Sequence, residues 1–147
     1  MGTRIWAAAQ VLACIGLTSG CASERISDQF PHIKSTPVCA ITESPKNFIG
    51  LRVVVRARYM TDGSTYTYLL DPECSGDNVI DVSNLASKGN ESVQAFRKSK
   101  KDACAAKGRP LLCTIEADLL AEVTVIEGRD GWVAIDLEKI IDYQLRP

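Results

Sequence analysis

Leu51-Arg52-Val53-Val54-Val55-Arg56-Ala57-Arg58-Tyr59 is the stretch on which the fold turns. Leu51, Val53, Val55, Ala57 and Tyr59 fall on one face at the two-residue period of a strand, and Arg52, Arg56 and Arg58 fall on the other. One face is expected against a core and the other in water. Just before it, Ser44 and Pro45 read as the N-cap and first residue of a short helical turn that Gly50 ends. Just after it, Asp62-Gly63 signals a hairpin. Thr65-Tyr66-Thr67-Tyr68-Leu69-Leu70 then returns as a second strand of β-branched and aromatic residues, stopped by Asp71-Pro72. Asn78 to Val82 reads as a third strand. Glu91 to Lys107 reads as a lysine-rich helix on one end of the sheet, with Val93, Phe96 and Ala103 as its apolar contacts. From Leu111 the chain turns back to strand: Cys113, Ile115, Ala117, Leu119, Ala121, Val123 and Val125 share one face. Gly128-Arg129-Asp130-Gly131 is a turn. Trp132 to Ile141 is the last strand, with Val133, Ile135 and Leu137 on one face and a bulge before Ile140.

Five strands with a helix between the third and fourth is the element order of an OB-fold, a small Greek-key barrel. The expected architecture is therefore mainly β with one helix, in a five-stranded OB-fold-like barrel; an α+β sandwich is the alternative. The span from Cys39 to Tyr143 also resembles a group of small exported bacterial proteins. The likeness is carried by Cys39, Phe48-Ile49-Gly50, the strand Leu51 to Tyr59, and Leu70-Asp71-Pro72-Glu73-Cys74. It implies a fold and not a reaction.

The chain begins with Arg4, an apolar run from Ile5 to Leu17, and small residues leading into Cys21. Spanning a bilayer takes about 20 apolar residues, and this run is shorter and interrupted by Gln10, so it reads as a signal peptide over residues 1–20. Ser19-Gly20-Cys21 resembles the lipobox of bacterial lipoproteins, although Thr18 stands where that family usually has leucine. The resemblance implies cleavage before Cys21 and acylation of its sulfur and new amino terminus. The acyl chains, palmitate or similar, would hold the protein on a lipid bilayer at about 0.8 kcal/mol per buried methylene. Ala22-Ser23, with no aspartate after the cysteine, implies the outer membrane facing the periplasm. Two readings stay open beside this one: Val11-Leu12-Ala13-Cys14 is also lipobox-like, and Gly20-Cys21-Ala22 suits an ordinary cleavage that releases a soluble protein. Residues 21–37, with Pro31, Pro37 and the lone His32, read as anchor and flexible tether, and 38–147 as the barrel domain.

Four cysteines remain, Cys39, Cys74, Cys104 and Cys113, and an even number in an exported domain suggests two disulfides. Three pairings are open. Closeness in sequence favours Cys104 with Cys113, leaving Cys39 with Cys74, with loop-entropy gains of about 3 and about 4 kcal/mol. The sequence lacks the C-x-x-C spacing of structural zinc sites and redox pairs.

The chain carries 17 basic and 18 acidic residues; loss of Arg4 with the signal leaves 16 against 18, a net charge of −2. Near-neutrality argues against nucleic acid, whose binders carry a basic face. A histidine in a tether is poorly placed to serve a nucleophile. Asp71, Glu73, Asp77 and Asp81 gather near one loop without the spacing of a calcium loop. No metal site, cofactor or catalytic set is expected. Lys98, Lys100, Lys101 and Lys107 make the helix locally basic, which suits a solvated face better than a lipid contact. The remaining candidate is a contact surface of Arg56, Arg58, Tyr66 and Tyr68, residue types that suit a glycan or an anionic group. The expected function is a non-enzymatic binding or interaction module of the cell envelope, with an envelope protein or glycan as partner. A small periplasmic hydrolase or an enzyme inhibitor is the alternative.

Overall fold

The Val-rich stretch forms strand β1, Arg52–Thr61, because its odd-numbered side chains have a barrel interior to fill: Val55, Ala57 and Tyr59 are all buried. The structure is a computed structural model that describes residues 29–76, 78–83, 90–109 and 113–146. Along the chain lie helix α1 (Val38–Glu43), a 3-10 turn (Pro45–Asn47), β1, β2 (Thr67–Leu70), β3 (Val79–Val82), helix α2 (Glu91–Ala106), β4 (Ile115–Glu127), a 3-10 turn (Arg129–Gly131) and β5 (Val133–Leu145). The strands close in the order β1-β2-β3-β5-β4, antiparallel except for β3 beside β5. This is the expected OB-fold-like barrel. No described helix is long and apolar enough to cross a membrane.

β4 is the staple of the barrel. It pairs with β1 from Arg52↔Thr124 to Thr61↔Ile115, and with β5 from Ala117↔Leu145 to Glu127↔Val133. Its expected inward set, Ile115 to Val125 at odd positions, is buried throughout. β5 reaches Leu145, four residues past its expected end, because its period breaks twice. The register against β4 skips Glu138 and Ile141. Each skip returns an apolar side chain to the core, so Leu137, Ile140, Tyr143 and Leu145 all turn inward. The bulge expected before Ile140 is the first of the two.

Helix α2 caps one end of the barrel. Asn90 is its N-cap, its Oδ1 accepting from Ser92 N at 2.8 Å. The Ser92 hydroxyl accepts in turn from Ile140 N, which pins the helix start to the bulged part of β5. Val93 and Phe96 are buried, and Phe96 stands edge-on to both Tyr59 and Tyr143. Gly108, with φ +71°, turns the chain out of the helix. Cys104 is then disulfide-bonded to Cys113, with Cα atoms 5.7 Å apart. Cys39 of α1 is bonded to Cys74 across 5.8 Å, so both favoured pairings are present.

Two features differ from expectation. Leu51 lies just before β1 and is 51 % exposed, although its carbonyl still accepts from Val125 N. The outward arginines are not fully wet, because part of the stretch read as a tether lies against them. Thr36 N donates to Val54 O at 2.7 Å, and Arg56 Nη2 donates to Phe30 O at 2.9 Å. Leu120, opposite Arg56 on that outer face, is completely buried.

Candidate functional site

The four expected contact residues, Arg56, Arg58, Tyr66 and Tyr68, share the outer face of the β1–β2 ribbon but divide between two places. Met60 lies opposite Tyr68 and Arg58 lies opposite Leu70, so the arginines and tyrosines occupy successive stretches of one ladder. Arg56 and Arg58 line a cleft of about 520 Å³ with Ser35, Pro37, Glu73 and Arg146. Tyr66 lines a different cleft of about 480 Å³, between α2 and the β1–β2 loop.

In the first cleft the cations are already engaged. Arg146 grips Asp118 with a forked pair of contacts, Nη2 to Oδ2 at 2.8 Å and Nε to Oδ1 at 3.1 Å. Arg58 Nε stands 3.9 Å from the same carboxylate, and Arg56 reaches the Phe30 carbonyl. The Nε atoms of Arg56 and Arg58 are buried without a hydrogen-bond partner. Asp71, one of the acidic loop residues, is also engaged: its carboxylate accepts from Val38 N and Glu73 N, tying α1 to the β2–β3 connection. Asp77 and Cys21 lie outside the described residues. His32 is exposed beside Phe30, in the segment that lies against β1, and lines neither cleft.

The second cleft has different chemistry. Its walls are Tyr59, Thr61 and Thr67 from the barrel end, Ser64, Thr65 and Tyr66 from the loop, and Arg97, Lys100 and Lys101 from α2. Among the described residues no carboxylate lines it. The loop is held in shape by Asp62. Desolvation pushes its carboxyl up, but the backbone N–H groups of Ser64, Thr65 and Tyr66 all donate to Oδ1 and hold its pKa down at about 2. Gly63 supplies the positive φ of +82° that the turn requires. Thr61 fastens the loop base, donating to Tyr66 O and accepting from the Thr67 hydroxyl at 2.9 Å. Tyr66 is left 42 % exposed, its ring 5.4 Å from that of Tyr68.

Lys100 is the residue that sequence reasoning missed. Val93, Phe96, Lys100 and Cys104 follow one another at spacings of three, four and four, so Lys100 occupies the apolar stripe of α2. A lysine inside such a stripe is the available signal, masked by the general basicity that Lys98, Lys101 and Lys107 give the helix. The structure separates them. Lys98 pairs outward with Asp102, whereas Lys100 turns in and donates to the Tyr59 hydroxyl. Its Nζ stands 4.4 Å from the Tyr59 ring centroid and 5.2 Å from that of Phe96. Burial, reinforced by the charge of Arg97, lowers its pKa to about 8. Burial also raises the pKa of Tyr59.

No protein-family model, curated protein or solved structure matches the chain.

Proposed function

We propose that the chain is an exported lipoprotein of the bacterial envelope, anchored through Cys21, whose barrel is a non-enzymatic binding module for a soluble glycan or anionic ligand. The observation that carries this reading is the open cleft at the β1–β2 loop, lined by the exposed ring of Tyr66, against which the half-buried ring of Tyr68 stands. The β1–β2 loop of an OB-type barrel is a common ligand platform. A concave site with a few converging polar groups is also the default location for binding. Two adjacent rings offer flat apolar area for a sugar face at little cost in side-chain entropy.

The contact surface is thereby moved from all four residues to the tyrosine half of the ribbon. Arg56 and Arg58 act as structural groups under the residue 30–36 segment. The test is retention of the full-length, membrane-extracted protein on an array of neutral and acidic oligosaccharides. Retention that falls at least tenfold in Tyr66→Ala/Tyr68→Ala, and is unchanged in Arg58→Ala, is the expected result. An array that retains nothing, or retains the double variant equally, refutes the reading.

A further inference from the structure

Lys100 is an unusual occupant of its position. A cation in the apolar seam between helix and barrel loses hydration, and its contacts here are a neutral hydroxyl and two ring faces. Two more cations, Arg97 and Lys101, line the same wall, and like charges gathered in one concave site raise each other's cost. The described lining offers no carboxylate to Lys100 or Lys101, and Asp62, the acid at the loop's first turn, has its Oδ1 occupied by three backbone N–H groups. Such concentration of one charge, with low-dielectric walls behind it, focuses potential on whatever enters. At the mouth, Tyr66 presents a half-exposed ring beside the hydroxyls of Ser64 and Thr65. This surface suits a group larger than a bare ion.

We propose that the cleft between α2 and the β1–β2 loop binds an acidic saccharide, its phosphate or carboxylate held by Lys100 and Lys101 and its ring lying on Tyr66. The inference rests on the binding-module reading and names its ligand class. Lys100 turns the site into one that weakens in alkali. The groups facing it are Tyr59 from β1, Arg97 and Lys101 from α2, and Tyr66 from the loop. With a pKa of about 8 it is charged at pH 7 and mostly neutral by pH 9. Anion affinity is then complete below about pH 8 and weakens as pH rises through it; a bound anion, by stabilising the ammonium, draws a proton in.

Calorimetric titration of the full chain in detergent with glucose 6-phosphate, glucuronate and glucose tests this. The acidic sugars are expected to bind at least tenfold more tightly than glucose at pH 7, and about tenfold more weakly at pH 9. The two acids separate a phosphate preference from a carboxylate preference, and either one binding as stated supports the site. Lys101→Gln, at an exposed position that leaves the packing intact, is expected to weaken them at least fivefold, and Lys100→Met to abolish the preference over glucose. If glucose binds as well as the acids, or both lysine variants bind the acids like the parent, the inference is overturned. The broader reading then stands or falls on the oligosaccharide array alone.

Discussion

The two clefts contain the same kind of side chain in opposite circumstances. On the β1–β4 face, three arginines surround Asp118 and a backbone carbonyl, and each guanidinium is fixed by a partner supplied within the fold. At the α2 end, lysines meet hydroxyls and rings, with no carboxylate among the described lining residues. The difference teaches that a basic stripe is not a site by virtue of its charge. What distinguishes the two clefts is whether the described residues lining them already include a carboxylate.

Breaking the arginine cleft should have the largest effect on stability. Asp118→Asn leaves the Arg146 fork and Arg58 without their carboxylate and is expected to cost about 2 kcal/mol, read as a lower urea midpoint at unchanged slope. The lysine cleft should respond in the opposite direction. Lys100→Met removes a half-buried cation while keeping its stem, and should stabilise the protein by about 1 kcal/mol at pH 7. The sign follows from its lowered pKa. The unfolded chain binds the Lys100 proton up to the ordinary lysine value of 10.5 and the folded chain only up to about 8, so the penalty is full below about pH 8 and fades as pH rises. The melting temperature of the parent should therefore gain on that of Lys100→Met between pH 8 and 10; parallel curves would show that Lys100 is not desolvated. Arg56→Ala comes next, with a loss of about 1 kcal/mol from the hydrogen bond to Phe30. Faster amide exchange at Thr36 should accompany it. Lys98→Ala should be smallest, with no measurable change in melting temperature, because its pair with Asp102 is exposed on both sides.

Much of the barrel was legible because alternation survives in β1 and β4, where one face stays buried over four successive repeats of the pleat in β1 and six in β4. The end of β5 was not. The first skipped residue changes the parity at Ile140 and the second restores it for Tyr143 and Leu145, and a period that breaks twice in a dozen residues looks like no period at all. The residue 30–36 segment was illegible for another reason: its attachments are two hydrogen bonds from or to backbone atoms, which leave no mark in composition. Of the site, Tyr66 was found from its strand and residue type. Lys100 needed the helix face to be read residue by residue, since its significance lies in the company of Val93, Phe96 and Cys104 rather than in its own charge.

The attachment of Phe30 and Thr36 to β1 also sets a leash length. With Cys21 acylated, as proposed, only the stretch from Cys21 to Phe30 separates the lipid from chain already fastened to the barrel. Nine residue steps reach at most about 32 Å when fully drawn out. The domain would thus hover within roughly its own diameter of the bilayer, sampling a thin layer of the periplasm instead of its full depth. A ligand tethered to the same membrane would meet the cleft at an effective concentration far above its average in the compartment, so modest intrinsic affinity would be enough for capture.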